Sequence, residues 1–217
     1  VARLRVAVLI SGRGSNLQAL IDACGDPAFP AEIRLVISNE PAAQGLARAE
    51  RARIPIRVVG HKQFPDRASF DTALDRALDE AAIELVCLAG FMRMLGDAFV
   101  MRWRDRMMNI HPSLLPAFKG LKTHDRVLAA GARFTGCTVH FVRPAMDEGP
   151  IIVQSAVAVL PGDNAARLAE RVLAEEHKAY PLALRLVAEG RVTVREERVE
   201  ISGAIAPAPT ALINPSG

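Results

Sequence analysis

Cysteine is scarce: Cys24, Cys87 and Cys137 are the only three in 217 residues. They lie far apart with no C-x-x-C spacing, which excludes a zinc or dithiol redox motif and a disulfide framework, and they suggest a reducing compartment. No stretch approaches the ~20 uninterrupted apolar residues of a membrane helix, so no membrane partner is expected. Glycine and proline, at 15 and 14 residues, are near ordinary usage, which excludes collagen-like and disordered chains. Charge of one sign is also lacking. The 27 Lys plus Arg against 24 Asp plus Glu leave +3, too little for a nucleic-acid footprint despite a pI near 9.0. The densest basic stretch, Arg102-Trp103-Arg104-Asp105-Arg106, reads as a solvated helix end.

What is present is half hydrophobic and long enough to bury a core without disulfide or metal staples. The start has a basic flank and a short apolar run, but that run ends in Ser-Gly-Arg-Gly without a small-residue cleavage pattern. It reads as a first strand, hence cytoplasmic residence. Residues 1–203 are expected to form one domain. Residues 204–217, rich in Ala, Pro, Ser and Gly, are expected to be a flexible tail with no part in the chemistry.

Short continuous apolar runs at 6–10, 33–37, 56–59 and 85–88 indicate strands buried on both faces. Helical patterns lie between them at 16–24, 42–53 and 69–82, the last with Phe70, Ala73, Leu74, Ala77, Leu78 and Ala81 at helical spacing. The alternation implies an α/β, Rossmann-like, mostly parallel sheet with helices on both faces. A strand at 107–110 is followed by a Pro- and Gly-punctuated loop at 112–123. Strands at 136–142 and 151–159 read as a hairpin or meander joined by the turn-rich 143–150. One long helix, capped near Asp163 or Asn164 and kinked at Pro181, should run to about Glu189 and stop at Gly190. Residues 192–201 suggest a small terminal hairpin.

The first strand runs into Ser11-Gly12-Arg13-Gly14-Ser15-Asn16 and then a helix. Ligands of open parallel sheets sit at the carboxyl ends of strands, where a helix N-terminus offers unpaired N–H groups to an anion. Leu17 breaks the dinucleotide fingerprint and no G-K-[ST] follows, so one phosphate fits better than two. A bare tight turn with Ser15 or Asn16 as helix cap is the alternative, and Arg13 favours phosphate.

Asn109 and His111, two apart on a strand, project to one side. Asp147 lies in the turn after another strand. A His paired with an Asp can move protons near neutral pH, and an Asn amide can donate to a developing oxyanion. Without a nucleophile elbow, and with no Cys near a candidate base, the pattern fits acyl transfer by direct attack of the substrate. The competing readings are a structural His before Pro112 and a metal site from His111, His124, His140 and Asp147, whose spacing matches no metal motif. Glu148 reads as a solvated turn residue and His177 as a surface one, while Glu176 could reach a sugar hydroxyl.

ISGRGSNLQAL, AGFMRML, NIHPSLLPAFKGLKTH and MDEGPII, in this order and at these separations, together resemble the folate-dependent phosphoribosylglycinamide formyltransferases over about residues 5 to 200. The resemblance implies a formyltransferase fold and formyl transfer from 10-formyltetrahydrofolate, as cosubstrate, to the amine of glycinamide ribonucleotide in purine (IMP) biosynthesis, with no metal. It implies catalytic roles for Asn109, His111 and Asp147, the last acting through a water. It implies a substrate-phosphate turn of Gly12, Arg13, Gly14, Ser15 and Asn16, with Glu176 on the ribose. It implies a folate pocket of Phe91, Met92, Arg93, Leu95, Val142 and Asp147, with the loop from Arg143 closing the pterin side. Monomer and homodimer are both compatible with it.

Arg13 stands where some relatives carry Asn, which preserves phosphate attraction but changes how it is made. Lys122 replaces a His often found in the G-L-H-T-H stretch, so that His is not essential here, and Ala117 and Lys119 also differ from familiar versions of the loop. The rivals are a formyltetrahydrofolate hydrolase and a nucleotide-binding module without formyl chemistry. The retained phosphate turn, and an opening directly on strand one without a regulatory domain, favour transfer over hydrolysis. Methionyl-tRNA formyltransferase, expected to need a further C-terminal domain, fits the length less well. A bare nucleotide module leaves NIHPSLLP and MDEGP unexplained.

Overall fold

The computed structural model describes residues 2–203 and 212–214. Its centre is a seven-stranded sheet in the order β3-β2-β1-β4-β5-β6-β7. The strands are β1 (Leu4–Ile10), β2 (Ala31–Ser38), β3 (Ile56–Val58), β4 (Leu85–Leu88), β5 (Met107–His111), β6 (Phe134–Phe141) and β7 (Ile151–Ala158). The first five are parallel, and β6 and β7 run antiparallel at one edge. β1 shows why its run is unbroken. Val6, Val8 and Ile10 face one core while Ala7 and Leu9 face the other, and all five are fully buried. A strand covered on both sides has no polar position to alternate with.

Helices α1 (Ser15–Cys24), α2 (Gly45–Arg51) and α6 (Ala165–Ala188) contribute Leu17, Leu20, Leu46, Leu168, Val172 and Leu184 to the first core. Helices α3 (Arg67–Glu80) and α4 (Asp97–Arg102) contribute Phe70, Leu74, Leu78 and Phe99 to the second. α6 is capped as its sequence suggests: Asn164 accepts from the backbone N–H of Arg167 at 2.9 Å, and Gly190 follows its end with φ of 67°. It continues through Pro181 as one helix. Tyr180, fully buried on α6, donates to the carbonyls of Leu88 (3.0 Å) and Met108 (3.2 Å), pinning the helix across β4 and β5. The terminal hairpin is present as β8 (Val192–Arg195) and β9 (Arg198–Ile201).

Several expectations need correction. The strand at 56–59 is not buried on both faces: β3 lies at the sheet edge and is exposed along its length. The second helix starts at Gly45 rather than 42, because residues 43–46 first make a turn that brings Gly45 N–H to the Gly12 carbonyl at 2.9 Å. The stretch 102–106 is not wholly solvated: Trp103 is 2% exposed, and its indole N–H donates to Asp75 at 2.8 Å. A helix does end there, α4 stopping at Arg102, whereas α5 (Thr123–Ala129) was not expected, being too short to show a helical period. Of the expected tail, 204–211 and 215–217 lie outside the described residues. The Asn214 amide donates to the carbonyls of Arg133 (2.6 Å) and Val159 (2.9 Å).

The strand order reverses between β1 and β4, which pair in parallel with Leu9 opposite Leu88. Carboxyl ends at such a switch point define the crevice where open α/β sheets bind ligands. The turn after β1, the segment after β4 and the end of β5 all open there.

Candidate active site

β5 brings the polar pair to the crevice. Asn109 and His111 line a cleft of about 720 Å³ together with Phe91, Met92, Arg93 and Asp147. A smaller cavity of about 130 Å³ adjoins it, lined by Phe91, Arg93, Leu95, Val142, Arg143 and Asp147, among others. The cleft rim is apolar and open, with Met92 70%, Leu121 76% and Met146 52% exposed. Exposed apolar side chains gathered on one cleft suit a flat, largely apolar ligand. Another cleft, beside the start of β1 and β2, is lined by Arg3, Glu32, Arg34 and Arg57 and contains none of the candidate residues.

His111 is 6% exposed and lies between two oxygens. Its Nδ1 is 3.4 Å from Asp147 Oδ2, and its Nε2 is 3.0 Å from the Phe118 carbonyl. The Asp147 carboxylate sits beside the ring. Asp147 reaches it from a backbone with φ of 51°, and Oδ2 also accepts the Gly120 N–H at 2.6 Å. A left-handed non-glycine residue held in place from outside its own loop is a mark of a constrained site. The two loops are further tied by Lys119 and Glu148 at 2.6 Å, so Glu148 is paired rather than merely solvated.

Asn109 has a partner that the sequence reading considered only as a metal ligand. His140 stands opposite it in the antiparallel β5–β6 pair, with Asn109 Nδ2 and His140 Nε2 3.4 Å apart. His140 is 1% exposed, and its Nδ1 donates to the Phe141 carbonyl at 2.9 Å. Burial pushes the pKa of this ring down, against the pull of that carbonyl, so it is neutral and offers Nε2 as an acceptor. The acceptor fixes the Asn109 amide with one N–H on His140 and the other free for the cleft. Among the described residues no group of three or more His, Cys, Asp or Glu could hold a metal.

The phosphate-turn candidates and Glu176 do not line this cleft and form a second cluster. Gly14 is the N-cap residue of α1, with φ of 69° and no side-chain cap bond, so Ser15 and Asn16 are not simply caps. Asn16 is buried, and its amide instead donates to the buried Glu176 on α6 at 2.7 Å. Gly12 and Arg13 are exposed, and a Cβ on Gly12 would meet nothing within 4 Å. The protein's own packing does not require glycine there. Ser11, absent from the candidate set, joins the two clusters: its hydroxyl accepts the Met92 N–H at 2.7 Å and donates to Asn39 at 2.5 Å.

Burial raises the Glu176 pKa, and the Asn16 bond only partly opposes this. A carboxyl whose folded pKa is raised binds more protons in the native state, so stability falls as pH rises from the ordinary glutamate range through the raised value. Glu176→Gln is expected to match the wild type in thermal unfolding at about pH 4 and to be relatively more stable at about pH 8. An unchanged difference between the two pH values would show that the carboxyl is not held as described.

The chain belongs to the formyl transferase family, whose sequence profile matches residues 4–184. Within that family it is similar to the phosphoribosylglycinamide formyltransferase of Escherichia coli (strain K12), at 42% identity over 92% of this chain and 94% of that one. The crystal structure of glycinamide ribonucleotide transformylase 1 from Symbiobacterium toebii superposes with a TM-score of 0.89 at 47% identity, over 92% of this chain and 94% of that one. The trifunctional purine biosynthetic protein adenosine-3 of Gallus gallus is 55% identical over 89% of this chain, which spans only 19% of that longer protein.

Proposed function

We propose that the protein transfers the formyl group of 10-formyltetrahydrofolate to the amine of glycinamide ribonucleotide, a step of de novo purine (IMP) synthesis. The observation that carries this reading is the cleft in which Asn109, His111 and Asp147 meet at the end of β5, at the same switch point as the glycine-bounded start of α1. The family and the named relatives support the same reaction.

The substrate phosphate binds at Gly12, Arg13, Gly14, Ser15 and Asn16, where first-turn N–H groups have no side-chain cap and the space beside Gly12 is open. Glu176 takes the ribose. The folate lies on Phe91, Met92, Arg93, Leu95 and Val142, with Arg93 toward its carboxylates. The amine lone pair attacks the formyl carbon, and the carbonyl oxygen becomes an oxyanion that Asn109 and His111 stabilise by hydrogen bonding. Asp147, 3.4 Å from Nδ1, orients the His111 ring. The intermediate then collapses, the bond from carbon to the folate nitrogen breaks, and that nitrogen takes the proton lost by the amine.

No protein nucleophile is needed, and the thiols are unsuited to the role. All three cysteines are buried, with the pKa of Cys24 pushed up to about 11 and that of Cys137 to about 12 by desolvation. No helix among the described residues is long and apolar enough to cross a membrane. The working form is a cytoplasmic monomer or homodimer that needs no nucleic acid or metal.

The test is to supply 10-formyltetrahydrofolate with and without glycinamide ribonucleotide and follow tetrahydrofolate. Release that depends on the ribonucleotide is expected. Equal release without it would make the protein a hydrolase.

A further inference from the structure

The β8–β9 hairpin lies beyond the segment matched by the formyl transferase family, and none of its residues has a part in the reaction described above. Its turn is tight, with Glu196 and Glu197 at φ of 48° and 60°, and it folds Glu197 back onto Arg143. Arg143 opens the loop 143–149, which carries Asp147 and walls the smaller cavity.

Arg143 is 9% exposed, and each nitrogen of its guanidinium has a partner. Nε donates to Glu197 Oε2 at 2.6 Å, Nη2 donates to Asp105 Oδ1 at 2.7 Å, and Nη1 donates to the Val142 carbonyl at 3.0 Å. Arg104 pairs with the same Glu197 carboxylate. A guanidinium this buried is stable only while carboxylates satisfy it, and deprived of one it turns toward water. The loop has no slack to absorb that turn. At its far end Gly149 has φ of 124°, and a Cβ there would lie 2.1 Å from the Phe141 carbonyl oxygen and 3.0 Å from Arg143 Cγ. Both ends of the loop therefore close on the stem of Arg143, and Asp147 is four residues from it.

We propose that Glu197, at the tip of the C-terminal hairpin, is a positioning residue for the reaction, holding through Arg143 the loop that presents Asp147 and forms the folate side of the site. The inference rests on the role given to Asp147 under the proposed function. It makes a segment outside the matched family region part of the working enzyme, and it ties specificity for the formyl donor to an ion pair between that loop and the hairpin.

The experiment uses the full chain with Glu197→Ala, Glu197→Gln, Arg143→Ala and the double variant Arg143→Ala with Glu197→Ala. Glu200→Ala is the control, since Glu200 pairs with Arg195 in the same hairpin at 3.5 Å and is 61% exposed. For Glu197→Ala, kcat/KM for 10-formyltetrahydrofolate is expected to fall about tenfold, the worth of one lost charge-assisted bond. The KM for the ribonucleotide should stay unchanged. Glu197→Gln, which keeps an oxygen acceptor, should recover part of the loss. The double variant should be no worse than Arg143→Ala alone, and Glu200→Ala should behave as wild type. Unaltered donor kinetics in Glu197→Ala, an equal loss in Glu200→Ala, or additive losses in the double variant would overturn the proposal. Asp147→Asn run alongside separates the two levels. If it retains turnover, the reaction assignment itself fails; if it is inactive while Glu197→Ala has wild-type donor kinetics, only the positioning role is lost.

Discussion

His111→Ala and Asp147→Asn are each expected to lower turnover by about 10² to 10⁴, the range that a positioned proton donor or its partner supplies. Ribonucleotide affinity should persist, because the phosphate turn and Glu176 form a cluster apart from the cleft that holds His111. The reason lies in the geometry of the ring. His111 lies between Asp147 Oδ2 at 3.4 Å and the Phe118 carbonyl at 3.0 Å, so both ring nitrogens are held by oxygens and the ring is fixed at the cleft. Alanine removes the donor. Asparagine at 147 keeps the shape but removes the carboxylate that faces the ring, so the loss appears in kcat while ribonucleotide binding, followed by equilibrium titration, remains. Near-normal turnover by either variant would contradict the assignment.

Gly14→Ala is expected to be the most damaging change in the phosphate turn. Gly14 has φ of 69°, and a Cβ there would lie 2.7 Å from the Cα of Gly45, backbone against backbone. The left-handed conformation alone costs an L-residue about 1–2 kcal/mol. The clash adds to this, because the turn and the start of α2 are held together by the 2.9 Å bond from Gly45 N–H to the Gly12 carbonyl. The expected result is a lower midpoint of thermal unfolding and a KM for the ribonucleotide raised at least about tenfold, as for a lost charge-assisted phosphate contact. Gly12→Ala separates fold from ligand. It meets no protein atom within 4 Å, so stability should hold while ribonucleotide binding weakens. Equal ribonucleotide KM in Gly12→Ala and wild type would place the phosphate elsewhere.

Much of this architecture is legible in the chain because it depends on local composition. β1 is unbroken because both faces are covered, α6 shows its Asn164 cap and Gly190 stop, and the terminal hairpin shows its alternation. Short elements are less legible: α5, of seven residues, completes too few turns to show a period, and α4, of six, shows only its basic end. The site divides along the same line. Asn109 and His111 share a strand face and can be read together, with Asp147 as the carboxylate of a later turn. The groups that orient them come from distant segments. His140 acts on Asn109 from 31 residues away through the antiparallel register, and Ser11 reaches Met92 across the switch point from 81 residues away. Arg143 meets Glu197 from 54 residues away. Such contacts follow from strand order and loop closure, which no local pattern encodes. Trp103 shows the same limit, since its burial against Asp75 depends on how α4 lies on α3.

The central claim is direct transfer of the formyl group between two bound substrates. The most direct measurement supplies 10-formyltetrahydrofolate carrying a ¹³C-formyl group together with glycinamide ribonucleotide and follows the label by NMR. The account predicts that the label passes into the formamide of the ribonucleotide product in step with tetrahydrofolate formation, with none released as formate. Label appearing as formate at the rate of tetrahydrofolate formation, with no formylated ribonucleotide, would contradict it.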